Sequence, residues 1–160
     1  AMAYWNSPQG SRDEQFISPF KVTGERKYIT FEFDPGGFNN IRMSAEIVFV
    51  IAAVTGRTLV LPPPQTIYLL SDGTRTQSLN DFFPLYSESF KRRVNVISTK
   101  EFFQREMKKG GYLEVDDESK RAKLLSIAER CDPYDNSEWR LLLTGDASAF
   151  ILTLDDIRFC

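Results

Sequence analysis

The chain's 160 residues, 42% apolar, 13% aromatic and 26% charged, are enough to bury a core without disulfides or metals. Twenty basic against 22 acidic residues leave a net charge of -2, which offers nothing to attract nucleic acid or an anionic membrane surface. The absence of histidine removes Ser-His-Asp and Cys-His nucleophile systems and His-ligated zinc. The only cysteines, Cys131 and Cys160, form no CxxC pair for a cysteine zinc site or a thioredoxin-type motif.

Residues 1–26 are mostly polar around a few apolar anchors (Tyr4, Trp5, Phe16, Ile17, Phe20, Val22) and read as an N-terminal arm lying on a domain formed by residues 27–160. Lys27–Phe33 (KYITFEF) carries the β-branched and aromatic residues of a strand. The following DPGGFNN breaks it, because Pro and paired glycines punctuate a strand into a tight turn. Ile41–Thr55 is long enough for a helix of about four turns, with Gly56 where a left-handed C-cap is expected. Its apolar residues cover more than one stripe, which predicts burial on several sides. Even so, the longest uninterrupted apolar run, Ile47–Val54, falls far short of the roughly 20 residues that span a bilayer. Arg57–Pro62 (RTLVLP) is a second short strand, stopped by Pro62-Pro63-Pro64.

Strand, turn, helix, strand is a βαβ unit, normally parallel with a right-handed crossover. The fold class expected is therefore α/β, a Rossmann-like parallel sheet flanked by helices. Pro62–Asp81 reads as a long irregular connection. Arg93–Ile97 is a further strand, and Ser98-Thr99-Lys100-Glu101 has the spacing of a capping box opening a helix through Lys109, ended by Gly110-Gly111. Asp117–Arg130, acidic at its start, is another helix, and Ala149–Leu154 a late strand.

The segment with chemistry in it is Asp34 to Arg42. Between a strand and a helix, it collects unpaired backbone N–H groups and the positive helix end at one point, an arrangement that holds anions. Gly36 and Gly37 allow close approach of a phosphate, Phe38 follows them, Asn39 and Asn40 cap the helix or donate amide hydrogens, and Arg42 matches phosphate oxygens with a planar fork. Turns of this composition also precede helices that bind nothing, so both readings stay open. Arg42 and Glu46 are likewise spaced for an i,i+4 ion pair, and Asp34 for capping the turn with its own carboxyl group. GGFNN is not the GxGxxG dinucleotide fingerprint, which argues against a standard NAD site.

The stretch GGFNNIRMSAEIVFVIAAVTGRTLVLPPP resembles the first characteristic block of the GDP-fucose protein O-fucosyltransferase family, and the later NVISTKEFF is similar to that family's N-terminal half. The resemblance covers residues 27–109 and implies one half of a GT-B architecture, with a second lobe or partner chain completing it. It further implies a secretory-pathway (ER or Golgi) lumenal enzyme that transfers fucose from GDP-fucose, with inversion and without metal or cofactor, to a Ser or Thr hydroxyl of a protein or glycan. The sugar nucleotide would be contacted from Gly36 to Asn40 and by Arg42. One branch of the family carries a carboxylate directly before GFN, where this chain has Gly36; the nearest acidic residue is Asp34, two residues earlier, the candidate base. A non-catalytic half-domain that binds a protein or glycan is the alternative.

Overall fold

The computed structural model describes residues 27–31, 36–65, 67, 76–129 and 151–153, with Gln15 and Pro19 as isolated positions. Among these residues four short strands form one parallel sheet: β1 (Tyr28–Thr30), β2 (Thr58–Leu61), β3 (Val96–Ser98) and β4 (Ile151–Thr153), in the order β3-β2-β1-β4. Tyr28 pairs with Thr58, Leu59 with Val96, and Tyr28 on its other side with Ile151. The predicted α/β class and the parallel βαβ unit are therefore observed.

Strand alternation divides the core in two. Ile29, Phe31, Leu59, Leu61 and Val96 face α1 (Phe38–Thr55), which buries Ile41, Ala45, Val48, Phe49 and Ala52 against them. Tyr28, Val60 and Ile97 face the opposite way, onto Phe102, Phe103 and Met107 around α3 (Thr99–Glu106) and Leu124 and Ala128 of α4 (Glu118–Glu129). Helices thus cover both faces, as a parallel sheet requires.

Gly56 takes the left-handed conformation expected of it (φ 66°, ψ 19°), and its N–H closes the helix on the Ala52 carbonyl. The helix itself differs from expectation in two ways. It begins at Phe38 rather than Ile41, so Asn39 and Asn40 occupy its first turn instead of the loop before it. It is also buried on one side only: Met43, Val50 and Val54 are exposed. Small Ala45 and Ala52 let α1 lie close on the sheet, and nothing among the described residues covers the larger apolar residues on its far side in the same way. By length and composition alone α1 is apolar enough to cross a membrane, a property the eight-residue run concealed because polar residues interrupt it. One face of the helix is nevertheless committed to the sheet.

The connection from β2 to β3 is more ordered than its sequence suggested. Gln65 and Gln77 form an antiparallel bridge, a 3-10 turn spans Leu79–Asp81, and a short α2 covers Glu88–Lys91. The capping box of α3 forms as predicted: Glu101 N–H donates to Ser98 Oγ and Ser98 N–H to Glu101 Oε2 at 2.8 Å. The helix stops at Glu106 rather than Lys109. Gly110 has φ 78°, and a Cβ on Gly111 would collide with the Glu106 carbonyl, so both glycines are required there. The aromatic residues of the arm, Tyr134, Trp139, both cysteines and Asp155-Asp156 lie outside the described residues.

Candidate functional site

The strand order β3-β2-β1-β4 places a reversal between β1 and β4: the chain leaves β1 through α1 on one face and returns to β4 from helices on the other. In open parallel sheets the crevice outside the carboxyl ends of the strands at such a point is where ligands bind. Gly36 and Gly37, immediately before α1, lie at that end. Beneath the edge, a void of about 10 Å³ lined by residues including Thr30, Val60, Thr99 and Phe102 holds no more than one water.

How each helix begins distinguishes α1 from its neighbours. Ser78 caps the 3-10 turn, Ser87 caps α2, Ser98 caps α3, and the Asp117 carboxyl group accepts from the Ser119 and Lys120 N–H groups at the start of α4. The first residue before α1 is Gly37, which has no side chain to offer. The N–H groups of Asn40 and Ile41 turn back to the Gly37 carbonyl, at 2.9 and 3.3 Å, while those of Phe38 and Asn39 have no partner among the described residues. Among the described residues, then, no side chain caps the positive end of this 18-residue helix, which lies at the carboxyl edge. Gly37 has an ordinary φ of -69°, and a Cβ there would meet nothing within 4 Å, so neither conformation nor packing calls for glycine.

This contrast yields a prediction. Gly37→Ser would supply the missing cap and restrict the unfolded chain, raising stability by about 0.5–1 kcal/mol in a denaturant melt. The same hydroxyl would accept from the first-turn N–H groups and so compete with any anion bound there. A stabilised variant with undiminished anion affinity would show that the open helix end is not used.

The other sequence-predicted residues fall out as follows. Phe38 rests its ring on Phe82, centroids 4.5 Å apart, and so anchors the helix start; its contribution to the edge is its backbone N–H. Asn39 and Asn40 are exposed in the first turn. Arg42 lies one position further, half exposed, with its Nε 3.6 Å from Glu46 Oε1. Asp34 lies outside the described residues. Near the start of α3, burial and secondarily the Glu101 carboxylate push the Tyr86 phenol above its ordinary value, so it remains neutral at physiological pH. Lys91 sits 5.4 Å from the centre of its ring.

Sequence reasoning missed one polar cluster altogether. Glu106 is fully buried between the sheet and α4; its carboxyl group accepts from the Tyr28 hydroxyl at 2.6 Å and from the Tyr112 N–H at 3.2 Å. Within QREMKK it reads as one more charge on an exposed helix end, and no local signal marks it as internal.

The family model of the GDP-fucose protein O-fucosyltransferases matches residues 28–141, well past residue 109, where the resemblance in the sequence stopped. No curated protein and no solved structure matches the chain. Because the match runs from β1 beyond the end of α4 and covers well over half of the chain, the chain belongs to the GDP-fucose protein O-fucosyltransferase family.

Proposed function

We propose that this chain is the N-terminal, Rossmann-like half of a two-lobed GT-B O-fucosyltransferase of the secretory-pathway lumen. The reaction breaks the bond between fucose C1 and the β-phosphate of GDP-fucose and joins C1, with inversion, to the oxygen of a Ser or Thr hydroxyl. The hydroxyl proton passes to a base and GDP departs. The observation that carries this reading is the start of α1 at the carboxyl edge, where the Phe38 and Asn39 N–H groups have no partner among the described residues, within a fucosyltransferase-family match.

Negative charge builds up on the diphosphate as the C1–O bond breaks. The Phe38 and Asn39 N–H groups and the positive end of α1 favour it there, with the Asn39 and Asn40 amides as further donors. Arg42 joins them by giving up Glu46, and an exposed i,i+4 pair of this kind is worth only a few tenths of a kcal/mol, so the exchange costs little. Asp34 is the candidate base. The second lobe supplies the guanine contacts and closes the cleft over the acceptor.

The isolated chain should accordingly bind GDP no better than about 1 mM, roughly -4 kcal/mol. In the two-lobed protein, Arg42→Ala should weaken GDP binding by about 1.5–3 kcal/mol if the guanidinium pairs with phosphate. Titration of both proteins at fixed salt reads the difference, and equal affinities would leave Arg42 as nothing more than the partner of Glu46. Mass spectrometry of the two-lobed protein with a panel of sugar nucleotides tests the chemistry itself. Fucose transfer or GDP-fucose hydrolysis supports the assignment; indifference to every donor would turn it towards a binding module.

A further inference from the structure

The tip of α1 is held in place by one side chain. Asn39 and Asn40 are exposed, and Ile41 is the first residue of the helix to enter the core against the sheet. Phe38 packs instead on Phe82, with ring centroids 4.5 Å apart and planes inclined at 47°. The two N–H groups assigned to the diphosphate belong to Phe38 itself and to its neighbour Asn39. Helix ends fray unless something fixes them, so the Phe38 ring decides how steadily those donors are aimed.

Phe82 stands on a well-fixed base. Ser78 caps the 3-10 turn before it, and the Ser78 N–H donates to Asp81 Oδ2 at 2.8 Å. The Phe82 and Phe83 N–H groups both donate to the Leu79 carbonyl, at 3.1 and 2.9 Å. Leu79 and Leu85, 1% and 0% exposed, sink into the core on either side of the two rings. Phe83 meets Phe49 edge-on at 5.3 Å, and Phe90 of α2 meets the same ring at 5.5 Å. Phe49 lies roughly 16 Å from Phe38 along the helix, at 1.5 Å per residue. The β2–β3 connection therefore grips α1 at two separate points, and the contact of Phe82 with Phe38 is the one at the carboxyl edge.

We infer, on the anion-binding reading of that edge proposed above, that Phe82 is a positioning residue for the diphosphate. It touches no ligand atom; through the Phe38 ring it fixes where the Phe38 and Asn39 N–H groups point. Hydrogen bonds weaken steeply as donor and acceptor leave alignment, and donors already in place cost nothing to order when the anion arrives. Phe90 provides the comparison within the same molecule, since it is half-buried like Phe82 and packs on the same helix away from the tip.

The test pairs backbone NMR relaxation of the full chain with GDP titration of the two-lobed protein. Phe82→Ala should lower the amide order parameters of residues 38–41 from about 0.85 to below about 0.6, with residues 45–52 unchanged. It should also weaken GDP binding about tenfold, the scale of one impaired charge-assisted hydrogen bond. Phe90→Ala should lose similar stability yet leave GDP affinity within about twofold of wild type. Phe82→Tyr keeps the ring and should restore both readouts; Phe82→Leu, which keeps apolar volume without the flat face, gives the same comparison at a lower cost to folding. Wild-type GDP affinity in Phe82→Ala, an unchanged helix tip, or equal losses in Phe82→Ala and Phe90→Ala would overturn the inference and leave the site assignment standing. Wild type without measurable GDP binding would instead overturn the reading of the carboxyl edge, and the role of Phe82 with it.

Discussion

Glu106→Ala should destabilise the chain by about 4 kcal/mol in an equilibrium denaturant melt. The side chain is fully buried, and its carboxyl group receives the Tyr28 hydroxyl and the Tyr112 N–H. Alanine would leave both donors without it, at roughly 1–3 kcal/mol each, with the smaller cost at the partly buried Tyr112 amide, and the missing stem leaves a void between sheet and helix. Glu106→Gln separates these contributions. Its amide oxygen still accepts from Tyr28, but its NH2 group meets the Tyr112 N–H, donor against donor, so the expected loss is about 1–2 kcal/mol. A loss below about 1 kcal/mol in the alanine variant would show that the cluster is bypassed by water.

The position of Glu106 also shows what holds the C-terminal end of α3 in place. Its carbonyl accepts from the Leu113 N–H at 3.0 Å, and the turn through Gly110 and Gly111 is what lets the chain double back over it. One residue thereby fastens β1, the end of α3 and the loop towards α4, three segments far apart in sequence.

Local signals made the first half of the fold legible. The αL glycine and the short strand TLVL each name their own structure, and the Ser98–Glu101 box forms with both of its hydrogen bonds. The stripe on α1 was misjudged for a physical reason: apolar residues on two sides of a helix signal burial on both, and only the fold shows that just one side meets the sheet. Glu106 was invisible because its partner Tyr28 is 78 residues away. The short turns at Leu79–Asp81 and Glu88–Lys91 had visible caps in Ser78 and Ser87, and Ser78 with Asp81 has the same box spacing as Ser98 with Glu101. The candidate site falls between these cases. Its glycines, asparagines and arginine are evident in the sequence, but that α1, among the described residues, has no side-chain cap while the neighbouring helices have one emerges only when the helix starts are compared.

Phe102→Ala is the second substitution expected to have a large effect, about 3–5 kcal/mol. The ring is 1% exposed, meets Tyr28 edge-on with centroids 4.8 Å apart, and lies 5.8 Å from the Phe103 ring. It also walls the small void beneath the strand ends, so truncation would merge a new cavity with an existing one. At this chain length the loss should lower the melting temperature by roughly 10 °C. Phe102→Leu retains most of the volume and should cost less than half as much. The location matters for function, because Phe102 supports Thr30 and Thr99 immediately under the carboxyl edge. If that edge carries the diphosphate, Phe102→Leu in the two-lobed protein should lower GDP affinity while the fold survives. A change in stability with no change in affinity would mean that α1 alone positions the anion, independently of the α3 side of the sheet.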